Sequence, residues 1–326
     1  MLNSLEIDCY ENSYHPNHVS CFHIPVGAAC GYYNYDNYYY YLFYHCINEN
    51  WPSKEIHGLD STIEKLSKLG LTINLNCANN ADEFIKSIKA KIDNHSLVIM
   101  PAVYIYLFYF PQYRNNASSH FFIVSGYDPQ RSAMQIRDTI QDFVITPGLY
   151  VLQMHESLLK EIWINSNSFF KEKASHLYNI FYNIEKIGES KINNYNDLFK
   201  DFLANHNPNN SKLANIVEHF SDLIDSVRKG NQGIVLFLKR ELCYTTAVMF
   251  DCLKKAFGIY EQDTDKLSEL HIFREQYINF RDKIVTKIYA DALREKVPCK
   301  TERGDIINDI FLMDEKLFSF ARQCIL

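Results

Sequence analysis

The chain has 326 residues and a mass of 38.2 kDa, enough for one large domain or two ordinary ones. Its 47% hydrophobic and 14% aromatic content excludes a disordered chain, which combines few aromatics with high net charge. A net charge of −6 argues against a general nucleic-acid binder, which needs a basic face. The nine cysteines are odd in number and contain no C-x-x-C, so zinc-type and thioredoxin-type spacings are absent. Cys30, Cys243 and Cys252 fall within helical patterns and read as small buried hydrophobes. Met1-Leu2-Asn3-Ser4-Leu5-Glu6 shows neither a basic n-region nor an apolar h-region, so the expectation is a reducing cytoplasm. The longest apolar run, Leu97 to Phe110, is too short to span a bilayer and contains Pro101. A soluble protein without a membrane partner is expected.

Leu5 to Ile7 reads as a short strand. Asp8 to Val19 is polar and without period, a loop leading into Cys21. From Phe22 to about Tyr33 the pattern turns helical, with Pro25 in the first turn, where its missing N–H is not needed. Asn34 to Asn37 is a turn. Tyr38 to His45 is aromatic at every position but Leu42 and reads as a helix or strand packed on both sides, with some rings available to line a substrate pocket. Ser61 to Leu69 reads as a helix closed by Gly70, Leu71 to Leu75 as a strand, and Ala81 to Lys91 as a helix after Asn79 and Asn80. Leu97 to Met100 is expected as a buried strand, with another after Pro101. Gln112 to Ser119 is a polar loop. His120 to Tyr127 is a strand, Asp128 to Ser132 a turn and Ala133 to Arg137 the returning strand, which Asp138 ends. Such a hairpin brings His120 and Asp138 together at one rim of the sheet.

After about Met154 the pattern becomes helical. Leu177, Ile180, Phe181, Ile184 and Ile187 fit one helical face, and so do Leu213, Ile216, Val217, Phe220, Ile224 and Val227. Gly233 to Phe257, Leu267 to Phe280, Arg281 to Lys296 and Glu315 to Gln323 continue it. The expected organisation is an α+β domain over residues 1–155 and an all-helical bundle over 156–326.

Three residues form a candidate catalytic set. Cys21 stands where a helix begins, and the unpaired N–H groups of a helix N-terminus favour an anion such as a thiolate. His120 is placed to take and return a proton, and Asp138 to orient the imidazole. Each residue has a plain structural reading: a buried cysteine, a polar strand end and a turn aspartate. It is their joint placement that points to catalysis. Cys9 is the competing nucleophile, but Asp8 beside it disfavours a second negative charge and Pro16 interrupts any helix starting there.

His120-Phe121-Phe122-Ile123-Val124-Ser125-Gly126-Tyr127-Asp128, with Ala133 to Asp138 after it, resembles the His-strand-Gly-Tyr-Asp-turn-strand-Asp segment of bacteriocin-processing (double-glycine leader) peptidases. It is still more similar to acyltransferases of the butirosin-biosynthesis-protein-H type, as is the tyrosine-rich stretch before the histidine, Pro101 to Tyr113. Ser20-Cys21-Phe22-His23 matches the place of the family's nucleophile. The resemblance covers roughly residues 10 to 150. It also extends to the amide-forming enzyme of closthioamide-type polythioamide biosynthesis, whose helical second half would match. It implies a papain-like cysteine-protease fold and a Cys21-His120-Asp138 triad. The implied reaction takes an acyl group from a carrier-protein thioester to an amine. The leader peptidases place a glutamine some six residues before the cysteine as oxyanion-hole donor; here that position is His15, and Asn17 or His15 is left as a weak replacement beside the backbone N–H of Cys21.

Three functions follow as expectations: an amide-forming cysteine acyltransferase, a cysteine peptidase of the same fold, and a non-catalytic binding protein on such a scaffold. An acyl or peptidyl carrier protein and a small-molecule amine are the partners that the resemblance implies. Arg281, Lys283, Lys287, Arg294, Lys296, Lys300 and Arg303 form a locally basic stretch that suits an acidic carrier, or is simply a solvated helix face. Neither a phosphate-binding Gly-rich loop nor a metal-ligand spacing is present, so no cofactor and no metal are expected.

Overall fold

The computed structural model describes residues 3–7, 21–47, 59–110, 113–139, 149–205, 245–256, 264–294 and 299–325. These fall into two compact units, one holding the described residues up to Tyr41 and from 59 to Ser190, the other holding 42–47 and everything described from Lys191 on.

The first unit is built on a seven-stranded antiparallel sheet. Its strands are β1 (Asn3–Ser4), β2 (Leu71–Cys77), β3 (Leu97–Val103), β4 (Ser119–Asp128), β5 (Ala133–Thr139), β6 (Leu149–His155) and β7 (Ile180–Lys186), in the order β2-β7-β3-β4-β5-β6, with β1 paired to β4. Every residue of β3 is buried, which explains its unbroken apolar run: a strand covered on both faces has no polar alternation. The helices of this unit are α1 (His23–Tyr33), the first half of α2 (Asn37–Ile47), α3 (Leu59–Lys68), α4 (Ala81–Asp93) and α5 (Glu156–Lys173). In α1, His23 to Gly31 are all buried; small residues at 27–31 let it lie close on the sheet, and a helix buried all round needs no polar face. Phe22, just before it, meets Phe121 and Tyr182 edge-on at 5.1 and 5.6 Å. On the opposite side of the sheet, Phe84 of α4 stacks on Trp163 of α5 at 5.0 Å and meets Phe181 at 5.6 Å. Phe181 and Tyr182 are neighbours in β7, so they point to opposite faces and each serves one helical layer. Burying each such ring contributes about 2–3 kcal/mol.

Four expectations are corrected. The stretch 177–187 is not a helical face: Ile180–Lys186 is β7, inserted between β2 and β3. Its consecutive apolar residues are those of a strand covered on both faces, and the spacing of Ile180 and Ile184 fits helix and strand alike. The compact unit that holds the sheet includes β7 and runs to Ser190. Pro101 does not divide two strands, because β3 runs through it to Val103. Its pairing with β7 stops at Ile99, so the imide nitrogen forfeits no ladder bond there. Two residues on, the N–H of Val103 is satisfied by Ser166 Oγ of α5 at 3.1 Å. Beyond Val103 a 3-10 turn, Tyr104–Tyr106, replaces the expected second strand. Finally, β6 lies where no strand was expected. It is an edge strand with Val151 51% exposed, so its pattern is diluted.

In the second unit the described helices are the end of α2, α6 (Tyr195–Asn205), α7 (Thr245–Ala256), α8 (Thr264–Leu293) and α9 (Lys300–Ile325). Phe43 packs on Phe199 and Phe202 at 4.9 and 5.4 Å, and Tyr44 donates to Asp201 at 2.5 Å. Phe250 meets Tyr277, and Phe273 meets Phe320. The break expected at Phe280–Arg281 is absent, since α8 runs unbroken through both residues to Leu293. The expected face from Leu213 to Val227 lies outside the described residues. Among those described, no helix is long and apolar enough to cross a membrane.

Candidate active site

Three elements of the first unit converge at one rim of the sheet. Cys21 precedes α1, His120 is the second residue of β4, and Asp138 is the last but one of β5. His120 and Asp138 are 0% and 1% exposed, and their side chains meet at 2.7 Å from Nε2 to Oδ1. Cys21 is a free thiol of intermediate exposure whose sulfur lies 3.9 Å from the carbonyl oxygen of Ser119.

What places His120 and Asp138 on one face is a β-bulge. Gly126 pairs with Gln135, but Val124 pairs with Ile136 and Ile123 with Arg137, so Ser125 is an extra residue in β4. Side chains alternate along a strand. An unbroken ladder from the 126–135 pair would put His120 and Asp138 on opposite faces; the one-residue shift puts both on the face opposite the 123–137 pair. The bulge is pinned from the N-terminal segment. Leu5 N–H donates to Ser125 O at 2.8 Å, and Arg137 donates from Nε to Ser125 Oγ at 3.3 Å and from an Nη to Glu6 at 2.8 Å. Gly126 is required by this arrangement, because a Cβ there would stand 2.6 Å from the carbonyl oxygen of Asn3.

Three aromatic residues complete the enclosure. Tyr104 stacks on the His120 ring at 4.5 Å and 29°, Phe110 meets it edge-on at 4.9 Å, and Tyr109 donates its hydroxyl to Asp138 Oδ2 at 2.9 Å. Each carboxylate oxygen of Asp138 thus has one donor. Burial alone pulls the imidazole pKa down, but the charge of Asp138 and its hydrogen bond, then hydrogen bonding and charge from Cys21, outweigh burial and push it up to about 9. The imidazole therefore holds its proton at neutral pH, clamped by a carboxylate and lying against a π face that favours a cation. Burial, followed by the charges of Cys21 and Asp138, holds the Tyr104 phenol above its usual range. With Nε2 committed to Asp138, Nδ1 is the nitrogen free to serve the sulfur. It is buried and has no hydrogen bond of good geometry among the described residues. The half-exposed sulfur can meet a reactant while the imidazole stays out of water.

A stability test follows. The folded-state pKa lies above the ordinary value of 6.5, so this group's stabilisation is full below about pH 6.5 and is lost as pH rises through about 9. The urea midpoint of the protein is expected to fall over that window, and His120→Gln is expected to remove that part of the pH dependence.

Of the residues expected from sequence, Cys21, His120 and Asp138 come together. Asn17, His15 and the competing Cys9 lie outside the described residues. Tyr104, Tyr109 and Phe110 were not singled out. The tyrosine-rich stretch from Pro101 to Tyr113 enters the sequence reading through the family resemblance, and the strand expected after Pro101 hides the turn that folds these rings back over the histidine. Of the expected lining, Tyr38 to Tyr44 are all buried in the core. Among the described residues no group of three His, Cys, Asp or Glu is placed to hold a metal ion.

Residues 38–139 match the protein family described as Butirosin biosynthesis protein H, N-terminal. The match covers a little under a third of the chain and includes His120 and Asp138, while Cys21 precedes it. No curated protein matches the chain.

Proposed function

We propose, starting from that family match, that the chain is a biosynthetic cysteine acyltransferase of papain-like fold that makes an amide from an acyl thioester and an amine. The observation that carries this reading is the buried His120–Asp138 pair with the Cys21 sulfur beside it at a helix start. The Cys21 thiolate attacks the thioester carbonyl, and the C–S bond to the donor breaks as the tetrahedral adduct collapses. His120, holding its proton, gives it to the departing thiol. The acyl group now rests on Cys21. An amine attacks, neutral His120 takes the proton from its nitrogen, and the Cys21 thiolate leaves as the amide forms. Asp138 holds the imidazole with Nε2 inward and Nδ1 toward the sulfur through both steps. The backbone N–H of Cys21, with Asn17 or His15, is the candidate donor set for the oxyanion; losing such a donor costs about 3 kcal/mol of transition-state stabilisation. An acyl-enzyme survives to meet an amine only where water is scarce, and the Tyr104, Tyr109 and Phe110 wall supports that. A carrier protein in the cytoplasm is the proposed source of the thioester.

The test is to incubate purified protein with an acyl N-acetylcysteamine thioester, with and without 1,3-diaminopropane. Thiol release with amide formation in the presence of the diamine is expected. Release of the free acid at the same rate with or without the amine would make the protein a hydrolase and overturn the reading.

A further inference from the structure

We infer that Tyr109 is a positioning residue that sets the proton affinity of the His120–Asp138 pair; this rests on the reading of Cys21, His120 and Asp138 as one catalytic set. Asp138 has two oxygens and two donors. Oδ1 takes His120 Nε2 at 2.7 Å, and Oδ2 takes the Tyr109 hydroxyl at 2.9 Å. The second bond fixes the carboxylate plane, so the first fixes the tilt of the imidazole and the direction of Nδ1. It also withdraws negative charge from the carboxylate, which tempers the hold on the imidazolium. A phenol is suited to this because burial, the Asp138 charge and the hydrogen bond all disfavour its ionisation, so it remains a donor throughout the working pH range.

The surroundings of the pair are otherwise fixed. Tyr104 stacks on the ring, Phe110 stands against its edge, and Cys21 approaches from the start of α1. Tyr150 of β6 is the cross-strand partner of Asp138. Of these groups, Tyr109 alone is observed to donate to the carboxylate oxygen that His120 does not use. It sits on the half-buried stretch between the 3-10 turn and Phe110, where Phe108 beside it is 48% exposed. A partner or substrate pressing on that stretch acts on the imidazole through this one hydroxyl.

The experiment follows the His120 ring protons by NMR across pH 5 to 11 in the full chain, with His120→Gln identifying the resonance. Alkylation of Cys21 by iodoacetamide is followed over the same range. Tyr109→Phe is expected to raise the imidazole midpoint, by roughly three- to tenfold in proton affinity, and to move the alkylation profile with it. Replacing Tyr109 by 3-fluorotyrosine, a stronger donor, is expected to lower the midpoint, and it gives an answer if Tyr109→Phe does not fold. A merely structural role moves neither midpoint in these opposite directions. A raised midpoint in the wild type that neither substitution changes overturns the role of Tyr109 and leaves the catalytic reading standing. A wild-type midpoint near 6.5, with Cys21 no more reactive than a free thiol, overturns both.

Discussion

Cys21→Ala is expected to lower the rate of thiol release from an acyl thioester by at least about 10,000-fold, because Cys21 is the thiol that, among the described residues, stands beside His120 to hold the acyl group. The protein itself is expected to stay folded. Cys21 is only partly buried, and its hydrogen bond to Ser119 O, at 3.9 Å, is long and weak. Removing a sulfur in that setting leaves no large cavity, so the urea midpoint is expected to move by less than about 1 kcal/mol equivalent. The same substitution at Cys9 is expected to leave the rate within about twofold of the wild type. A slow Cys9 variant together with an active Cys21 variant would transfer the nucleophile role to the other thiol. Rates are read as thiol released in single-turnover mixtures, with circular dichroism as the check on folding.

The second large effect is that of His120→Ala, which acts on rate and stability together. Losing the proton carrier is expected to cost about 100- to 10,000-fold in thiol release. It also strips Asp138 of its closest counter-charge while leaving it 1% exposed. An uncompensated buried carboxylate typically costs about 3–5 kcal/mol, so the variant is expected to unfold at clearly lower urea than wild type. Removing the carboxylate as well relieves that cost. The double variant His120→Ala/Asp138→Ala is therefore expected to be more stable than His120→Ala alone while remaining as inactive. A double-variant loss equal to the sum of the two single losses would show that the pair is not coupled.

Much of the candidate site's placement was legible because its residues sit at element boundaries that sequence marks well. The polar, aperiodic stretch giving way to an apolar helix marks Cys21. The Asp-Pro turn between two apolar runs marks the hairpin that carries His120 and Asp138. What could not be read was parity. Equal hairpin arms bring the two residues near each other, yet only the extra residue Ser125 turns them to the same face. Gly126 inside an apolar strand is a cue for a bulge or a close backbone approach, but the groups that pin the extra residue, Leu5, Glu6 and Arg137, are remote in sequence. The Tyr109 contact was hidden for a similar reason. Pro101 reads as a strand breaker, and its tolerance follows from where β7 stops pairing, which is a property of the sheet rather than of the segment. The stretch at 180–186 failed for the opposite reason. A strand covered on both faces shows apolar residues at successive positions, and a helical period can always be drawn through them. The strand becomes legible only once β2 and β3 are placed on either side.

The most direct measurement is the mass of the intact protein after exposure to an acyl thioester without amine, followed by peptide mapping of any adduct. A single acyl group on the peptide containing Cys21, absent from Cys21→Ala and discharged by adding 1,3-diaminopropane, is the predicted result. An adduct mapped to Cys9, or no adduct under conditions in which thiol is released, would contradict the assignment of Cys21 as the residue that carries the acyl group.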